Sequence, residues 1–145
     1  FRNDRLHLCG RLYPEISDLI NKYKFTNIIL PGFVNTEEYF KKCDVYVFPS
    51  LLEGSSKSIY EAMISSMPCI VTENSGSVIT DQEDGFIINI ASVEQIKEKM
   101  LYFKENVNRI ESMGTKAFIN VQRYSWDNYS NMVIDIYKRV LNEKS

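Results

Sequence analysis

Residues 45–63 of the chain read VYVFPSLLEGSSKSIYEAM. Four apolar residues lead into a polar turn, and the turn leads into a segment with helical spacing, which predicts a strand, a loop and a helix. Glu53 falls in the loop and Glu61 in the first turn of the helix. A helix N-terminus attracts phosphate, and carboxylates accept hydrogen bonds from sugar hydroxyls. The junction therefore suits a nucleotide sugar.

Short apolar runs alternate with amphipathic segments along the chain, which predicts an α/β fold with a mostly parallel sheet. The runs are almost continuous, as expected of strands that helices cover on both faces. They are Leu6–Cys9, Asn27–Leu30, Val45–Phe48, Cys69–Thr72 and Phe86–Ile88. Helix starts are predicted at Pro14, at Asn35 with Glu38, at Ser58 with Glu61, at Ser92 with Gln95, and at Ser125. The fold class expected is a Rossmann-like three-layer sandwich.

The bulk composition is that of an ordinary globular protein. The 145 residues are 44% hydrophobic and 25% charged, and the formal net charge is −2. This argues against disorder and against a nucleic-acid partner held by a broad basic surface. Three spaced cysteines and one histidine form no ligand cluster, so we expect buried free thiols in a reducing cytoplasm rather than a disulfide scaffold or zinc site. No run of about 18 apolar residues is present to cross a membrane.

Each glutamate of the junction has a plain structural interpretation beside the functional one. Ser58 and Glu61 match a capping box, in which the glutamate bonds back to the Ser58 N–H. Alternatively, Glu61 holds two ribose hydroxyls, with each charge-assisted bond worth roughly 1.5–3 kcal/mol. A loop glutamate is usually solvated, but Glu53 precedes Gly54, where a ligand can approach the backbone closely. Further donors that suit a diphosphate follow at Ser55, Ser56, Lys57 and Ser58.

Several motifs are spaced in a recognisable order. They are DVYVFPS at 44–50, EG at 53–54, EAM at 61–63 and PCIV at 68–71, with LPGFV at 30–34, DGFII at 84–88 and YSW at 124–126. Together they resemble the donor-binding half of glycosyltransferase family 4, the glycosyl transferases group 1. That family has the GT-B fold and a signature of two glutamates separated by seven residues. The resemblance extends from about Leu6 to Leu141.

The resemblance implies the C-terminal half of a GT-B fold and assigns roles to residues. Glu53 would be catalytic, in contact with the transferred sugar near its reacting carbon, and Glu61 would hold the donor ribose. The other residues implied in donor binding are Gly54, Ser55, Ser56, Lys57, Ser58, Ile59, Phe33, Val34 and Arg11. The implied reaction retains the anomeric configuration and uses neither a cofactor nor a bound metal.

The chain departs from the family pattern at two places. Ser55, Ser56, Lys57 and Ser58 stand where the family often has Phe-Gly-Leu-Pro, so Lys57 either pairs with phosphate or is solvated. The turn at 10–12 lacks the second glycine of the family's Gly-x-Gly, which leaves Arg11 facing either the nucleotide or the surface. The turn at 74–77 follows the fourth strand on the same rim as Glu53. It either touches the donor or is a plain loop.

The resemblance implies one donor-binding domain over residues 1–145, with the acceptor domain and the first strand of the donor domain lying upstream. Its donor would be a UDP- or GDP-sugar. The acceptor, a saccharide or a lipid-linked saccharide, would meet the missing domain during polysaccharide, capsule or glycoconjugate synthesis. We expect a cytoplasmic protein, with peripheral attachment at the cytoplasmic membrane face as an alternative. The fragment alone is expected to be an inactive part of a hexosyltransferase-like enzyme, because the reaction needs both domains to close and exclude water.

Two other functions stay open at this point. The first is a nucleotide-binding regulatory module without transfer activity, which the changed serine-rich loop favours. The second is a structural or interaction domain of flavodoxin-like topology, in which the glutamates only cap a helix or face solvent. Fold alone does not separate these functions, since one architecture hosts many activities.

Overall fold

The computed structural model describes residues 4–143, which form a mixed α/β fold. In chain order the elements are β1 (Leu6–Cys9), α1 (Pro14–Tyr23), β2 (Ile28–Gly32), α2 (Thr36–Phe40), β3 (Tyr46–Phe48), α3 (Lys57–Ile64), β4 (Cys69–Thr72), β5 (Gly85–Ile88), α4 (Val93–Glu105), α5 (Val107–Val121) and α6 (Trp126–Asn142). Each of the five predicted strands is present, and every strand pair is parallel. The predicted fold class is confirmed.

The chain divides into two compact units, Phe1–Tyr39 and Phe40–Ser145. In the first unit β1 and β2 form a two-stranded parallel sheet. Pro14 opens α1 at its first position, as predicted, because its missing N–H would have no helical partner there. His7 bonds through Nδ1 to the Tyr39 hydroxyl, which gives it a structural partner.

In the second unit β4 lies between β3 and β5 in a three-stranded parallel sheet. All four residues of β4 are buried, as predicted for a strand covered on both faces. Cys69 and Val71 pack into one apolar cluster with α3 and α5, whereas Ile70 packs into a second cluster with Phe86 and Phe103. Because neighbouring residues of a strand point to opposite faces, both faces of this sheet are covered.

Helix α5 approaches the turn before β4 closely through Gly114. A Cβ at this position would lie 2.0 Å from the Ser66 carbonyl oxygen and 2.9 Å from its carbonyl carbon. We therefore expect Gly114→Ala to lower the free energy of unfolding by about 1–3 kcal/mol, because backbone must move to admit the methyl group. Urea unfolding measures the change. Exposed Ser112→Ala on the same helix is the control, with an expected change under about 0.5 kcal/mol. A Gly114→Ala protein as stable as the wild type would contradict the close approach.

Three of the predicted helix caps are confirmed. The side-chain oxygens of Asn35, Ser92 and Ser125 accept hydrogen bonds from the backbone N–H groups of Glu37, Gln95 and Asn128. Each of these side chains satisfies an N–H group that has no partner inside its helix.

One prediction about burial is wrong, and a second holds only in part. The apolar residues of α6 recur at helical spacing, which predicts a face that packs into the core. Helix α6 nevertheless has no buried residue, and Met132 and Tyr137 are about two-thirds exposed. Helical periodicity identifies an apolar face without showing which surface covers it. The sequence predicts three buried thiols, and Cys69 is buried, whereas Cys9 is exposed and Cys43 half-buried. Cys9 ends β1, and both end residues of that strand are exposed. Among residues 4–143, no helix combines the length and the apolar character needed to cross a bilayer.

Candidate functional site

The candidate site is the junction between β3 and α3 in the second unit. Ser56 is the N-cap of α3 and has extended backbone angles, but its side chain makes no capping hydrogen bond. The first N–H groups of a helix have no acceptor inside the helix. Within the described part of the chain, those of Lys57 and Ser58 therefore have neither a helical partner nor a side-chain cap. The junction thus presents the partial positive charge of a helix N-terminus.

The predicted capping box between Ser58 and Glu61 is wrong. Helix α3 begins at Lys57, so Ser58 already lies inside the helix. Glu61 stands four residues after Lys57, the spacing at which helical side chains meet, and its Oε1 lies 2.9 Å from the lysine Nζ. Lys57 remains 89% exposed beside Glu61, and its pairing with a donor phosphate stays a prediction. Exposed pairs of this spacing contribute only about 0.3–0.5 kcal/mol, so a ligand can replace Lys57 on Glu61 at little cost.

A row of hydroxyl groups fixes the first turn of α3. The Tyr46 hydroxyl of β3 donates to Ser58 Oγ at 2.8 Å, and Ser58 Oγ lies 2.9 Å from Ser56 Oγ. Ser56 is only 8% exposed. Two hydrogen bonds join three hydroxyls, so one serine hydrogen is left to donate to a ligand. Sequence reasoning missed Tyr46 and treated it as part of an apolar strand. The signal available in the sequence was a tyrosine in the strand that leads into the serine-rich loop, since its hydroxyl can bond to a serine there.

The loop that carries Glu53 is held by the segment after β4. The Glu53 N–H donates to the Asn74 carbonyl at 2.8 Å, and Asn74 Nδ2 donates to the Leu51 carbonyl at 3.3 Å. The Thr72 hydroxyl donates to the Ser50 carbonyl. The turn at 74–77 is therefore in direct contact with the Glu53 loop. Sequence reasoning left this turn undecided, because the contact joins residues about 20 positions apart in the chain.

Ser75, in the same turn, is wholly buried, and among the described residues its hydroxyl has no hydrogen-bond partner. We expect Ser75→Ala to raise the free energy of unfolding by about 1 kcal/mol, because an unpaired buried hydroxyl costs about 1–3 kcal/mol. Urea unfolding is the measurement. Thr72→Val is the matched control and should be less stable than the wild type, since it leaves the Ser50 carbonyl without its donor. Destabilisation of Ser75→Ala would show that the hydroxyl does have a partner.

The remaining predicted site residues lie in different environments. Gly54 and Ser55 are exposed in the loop, and Ser55 Oγ donates to the Tyr60 hydroxyl at 3.1 Å. The donor contact implied for Ile59 is one of its main-chain amide, and it stays a prediction. The Ile59 side chain is fully buried, and its N–H donates to the Ser56 carbonyl at 3.1 Å.

Three predicted donor contacts belong to the first unit. Phe33 is 87% exposed and Val34 is half-buried. The Arg11 guanidinium carbon lies 5.5 Å from the centroid of the Tyr13 ring. A surface stacking of this kind leaves the guanidinium accessible to an anion.

The perturbed ionisable groups of the second unit lie in its core. Burial raises the pKa of the Cys69 thiol well above its usual range, and the neighbouring Asp84 carboxylate adds to the effect. Burial also raises the pKa of Asp84, while hydrogen bonds from Asn120 Nδ2 at 2.7 Å and the Thr80 N–H at 2.8 Å oppose the rise. These contacts fix the turn before β5. No group of three or more His, Cys, Asp or Glu side chains within residues 4–143 is arranged to hold a metal ion.

Comparison with known proteins identifies the family. Residues 2–106 match the family described as Glycosyl transferases group 1. The chain belongs to that family. The resemblance of its spaced motifs to this family is therefore confirmed.

Individual glycosyltransferases agree with this assignment. The chain is 26% identical over 136 residues to an uncharacterized glycosyltransferase of Methanocaldococcus jannaschii, covering 90% of this chain and 39% of that protein. A crystal structure of Staphylococcus aureus TarM that contains UDP has a TM-score of 0.82 and 22% identity, over 92% of this chain and 29% of TarM. Anabaena HepE in complex with UDP-glucose has a TM-score of 0.81 and 16% identity, over 93% and 41%. The glycosyltransferase chain thus has a GT-B Rossmann-like fold and spans between 29% and 41% of the length of these relatives.

Proposed function

We propose that this glycosyltransferase chain binds the nucleotide-sugar donor of a retaining transferase at the β3–α3 junction. In this proposal the N-terminus of α3 binds the diphosphate, Glu61 binds the ribose hydroxyls, and Glu53 contacts the transferred sugar. The observation that carries the proposal is the start of α3. Among residues 4–143, the N-cap side chain makes no capping bond, and the Glu61 carboxylate pairs with an exposed lysine that a ligand can replace.

The chemistry proposed for this site needs charge stabilisation more than acid or base groups. When the bond between the sugar and the diphosphate breaks, negative charge grows on the leaving phosphate oxygens. The N–H groups of Lys57 and Ser58, the remaining serine hydrogen and the Lys57 ammonium can donate to those oxygens. Fixed donors of this kind stabilise a developing charge without reorganising. We therefore propose that the reaction proceeds without a bound metal.

The donor proposed is a UDP-sugar. The support comes from the solved relatives, since TarM was crystallised with UDP and HepE with UDP-glucose. The acceptor, the retaining stereochemistry and a role in polysaccharide or glycoconjugate synthesis at the cytoplasmic side of the membrane are proposals about the whole protein. A purely structural role for Glu61 loses its main support, because the glutamate does not cap α3.

Isothermal titration calorimetry with UDP, GDP, ADP and UDP-glucose tests the proposal on the wild-type chain. We expect UDP and UDP-glucose to bind, and GDP and ADP to bind at least about 10-fold more weakly, which corresponds to 1.4 kcal/mol. Equal affinity for all four would contradict the assignment of a UDP-sugar. Binding of none would contradict donor binding by this chain.

A further inference from the structure

We propose that Gly76 is a positioning residue for Glu53. The inference rests on the proposed function, because the position of Glu53 matters only if its carboxylate meets the donor sugar. Gly76 follows the short 3₁₀ turn at Glu73–Ser75, in the connection between β4 and β5. Nothing in the proposed donor contacts includes this connection.

The connection holds the Glu53 loop by hydrogen bonds to main-chain atoms of that loop. The carbonyl of Asn74 accepts the Glu53 N–H at 2.8 Å, and the Asn74 side chain donates to the carbonyl of Leu51 at 3.3 Å. The Thr72 hydroxyl donates to the carbonyl of Ser50. Three hydrogen bonds therefore tie the exposed loop to Thr72, at the end of the fully buried β4, and to Asn74 in the turn that follows it.

Gly76 sets how closely the two segments approach. A Cβ built on Gly76 would lie 2.1 Å from the Gly54 carbonyl oxygen, 2.7 Å from the Gly54 carbonyl carbon and 3.1 Å from Ser55 Cα. All three are backbone atoms, so no flexible side chain can swing away to relieve the collision. Gly76 also has a φ of +60°, which a glycine adopts without strain. Only glycine therefore permits the observed position of the residue next to Glu53.

A small displacement at this point is expected to have a large effect on the reaction. A methyl group at position 76 pushes the Gly54 peptide outward and carries the Glu53 carboxylate with it. Misplacement of a catalytic group by about 1 Å can cost about 100-fold in rate. Glu61 and the start of α3 lie beyond the displaced peptide, so nucleotide binding should change little.

The test is a double-mutant cycle between Gly76→Ala and Glu53→Gln in the full-length protein. The readouts are kcat for UDP release from UDP-glucose and the affinity for UDP. We expect Gly76→Ala to lower kcat by about 10- to 100-fold and to change UDP affinity less than about 3-fold. If Gly76 acts through Glu53, the double variant loses no more activity than Glu53→Gln alone, so the two effects are not additive.

Gly85→Ala is the matched control for a collision with backbone. A Cβ at Gly85 would lie 2.3 Å from the Cys69 carbonyl oxygen, away from the Glu53 loop. The Gly85→Ala substitution should lower stability while leaving kcat of the folded enzyme within about 3-fold of the wild type. Its effect on kcat should add to that of Glu53→Gln. Asn74→Ala is a milder second variant, which removes the side-chain bond to Leu51 and keeps the carbonyl that receives the Glu53 N–H.

Two results would overturn the positioning role. One is full additivity of Gly76→Ala with Glu53→Gln. The other is a Gly76→Ala chain whose Glu53 amide resonance is unshifted in a ¹H–¹⁵N NMR spectrum, because that amide bonds to Asn74 in the wild type. The NMR result does not depend on turnover. Failure of the wild type to bind UDP or any UDP-sugar would instead count against the proposed function.

Discussion

Glu61→Ala is expected to weaken UDP binding by about 100-fold. In the proposed site the two carboxylate oxygens accept hydrogen bonds from two ribose hydroxyls, and each such bond to a charged group is worth about 1.5–3 kcal/mol. Glu61→Gln keeps one acceptor oxygen, so its affinity for UDP should fall only about 10-fold, which corresponds to roughly 1.4 kcal/mol of binding free energy. Isothermal titration calorimetry of the three proteins measures both losses.

The loss of UDP affinity in Glu61→Ala should come from the missing carboxylate rather than from unfolding of the chain. The Lys57–Glu61 pair is exposed on the lysine side, with side-chain exposures of 89% and 27%, so its removal should change stability by no more than about 0.5 kcal/mol. Glu111→Ala, an exposed glutamate on α5, is the control for the same change in net charge. Equal UDP affinity in wild type, Glu61→Ala and Glu111→Ala would show that the Glu61 carboxylate does not bind UDP.

Glu53→Gln is expected to lower kcat of the full-length enzyme by about 100-fold, and UDP affinity by less than about 3-fold. The physical reason is that the carboxylate contacts the sugar near the reacting carbon, where charge changes most in the transition state. Losing a charge-assisted hydrogen bond there costs about 1.5–3 kcal/mol, which corresponds to about 10- to 150-fold in rate. Release of UDP from UDP-glucose measures kcat.

A second exposed glutamate gives the comparison for this prediction. Glu83 lies in the turn before β5, and Glu83→Gln should leave both kcat and UDP affinity unchanged. A parallel loss of kcat and UDP affinity in Glu53→Gln would mean that the side chain supports binding in general. An unchanged kcat in Glu53→Gln would show that the Glu53 carboxylate does not take part in the reaction.

Local signals in the sequence were sufficient for the strands and for most helix starts. The run at 69–72 is continuous and apolar, and β4 is indeed buried on both faces. Ser92 and Ser125 cap their helices because a cap depends on residues three positions away. The same local rule failed at Ser58, because the N-cap of α3 is Ser56, two residues earlier, and the Ser58 hydroxyl bonds to Tyr46 instead.

The parts of the site that sequence reasoning missed depend on contacts between distant segments. The sequence places the turn at 74–77 on the same rim as Glu53, but nothing local to Asn74 or Gly76 shows that the Glu53 loop lies against them. That contact exists only once β3 and β4 are paired. The same limit applies to α6, whose periodicity was clear but whose burial was not. Periodicity reports which residues share a face, and tertiary contacts decide what that face meets.

The most direct test of donor binding is a ¹H–¹⁵N NMR titration of the wild-type chain with UDP. The account predicts shift changes at the amides of Lys57 and Ser58, because the diphosphate should bind the first N–H groups of α3. The same titration of Glu61→Ala should need about 100-fold more UDP to produce those changes, as expected from the loss of charge-assisted bonds. Shift changes confined to other segments, or the same titration curve for both proteins, would contradict donor binding at this junction.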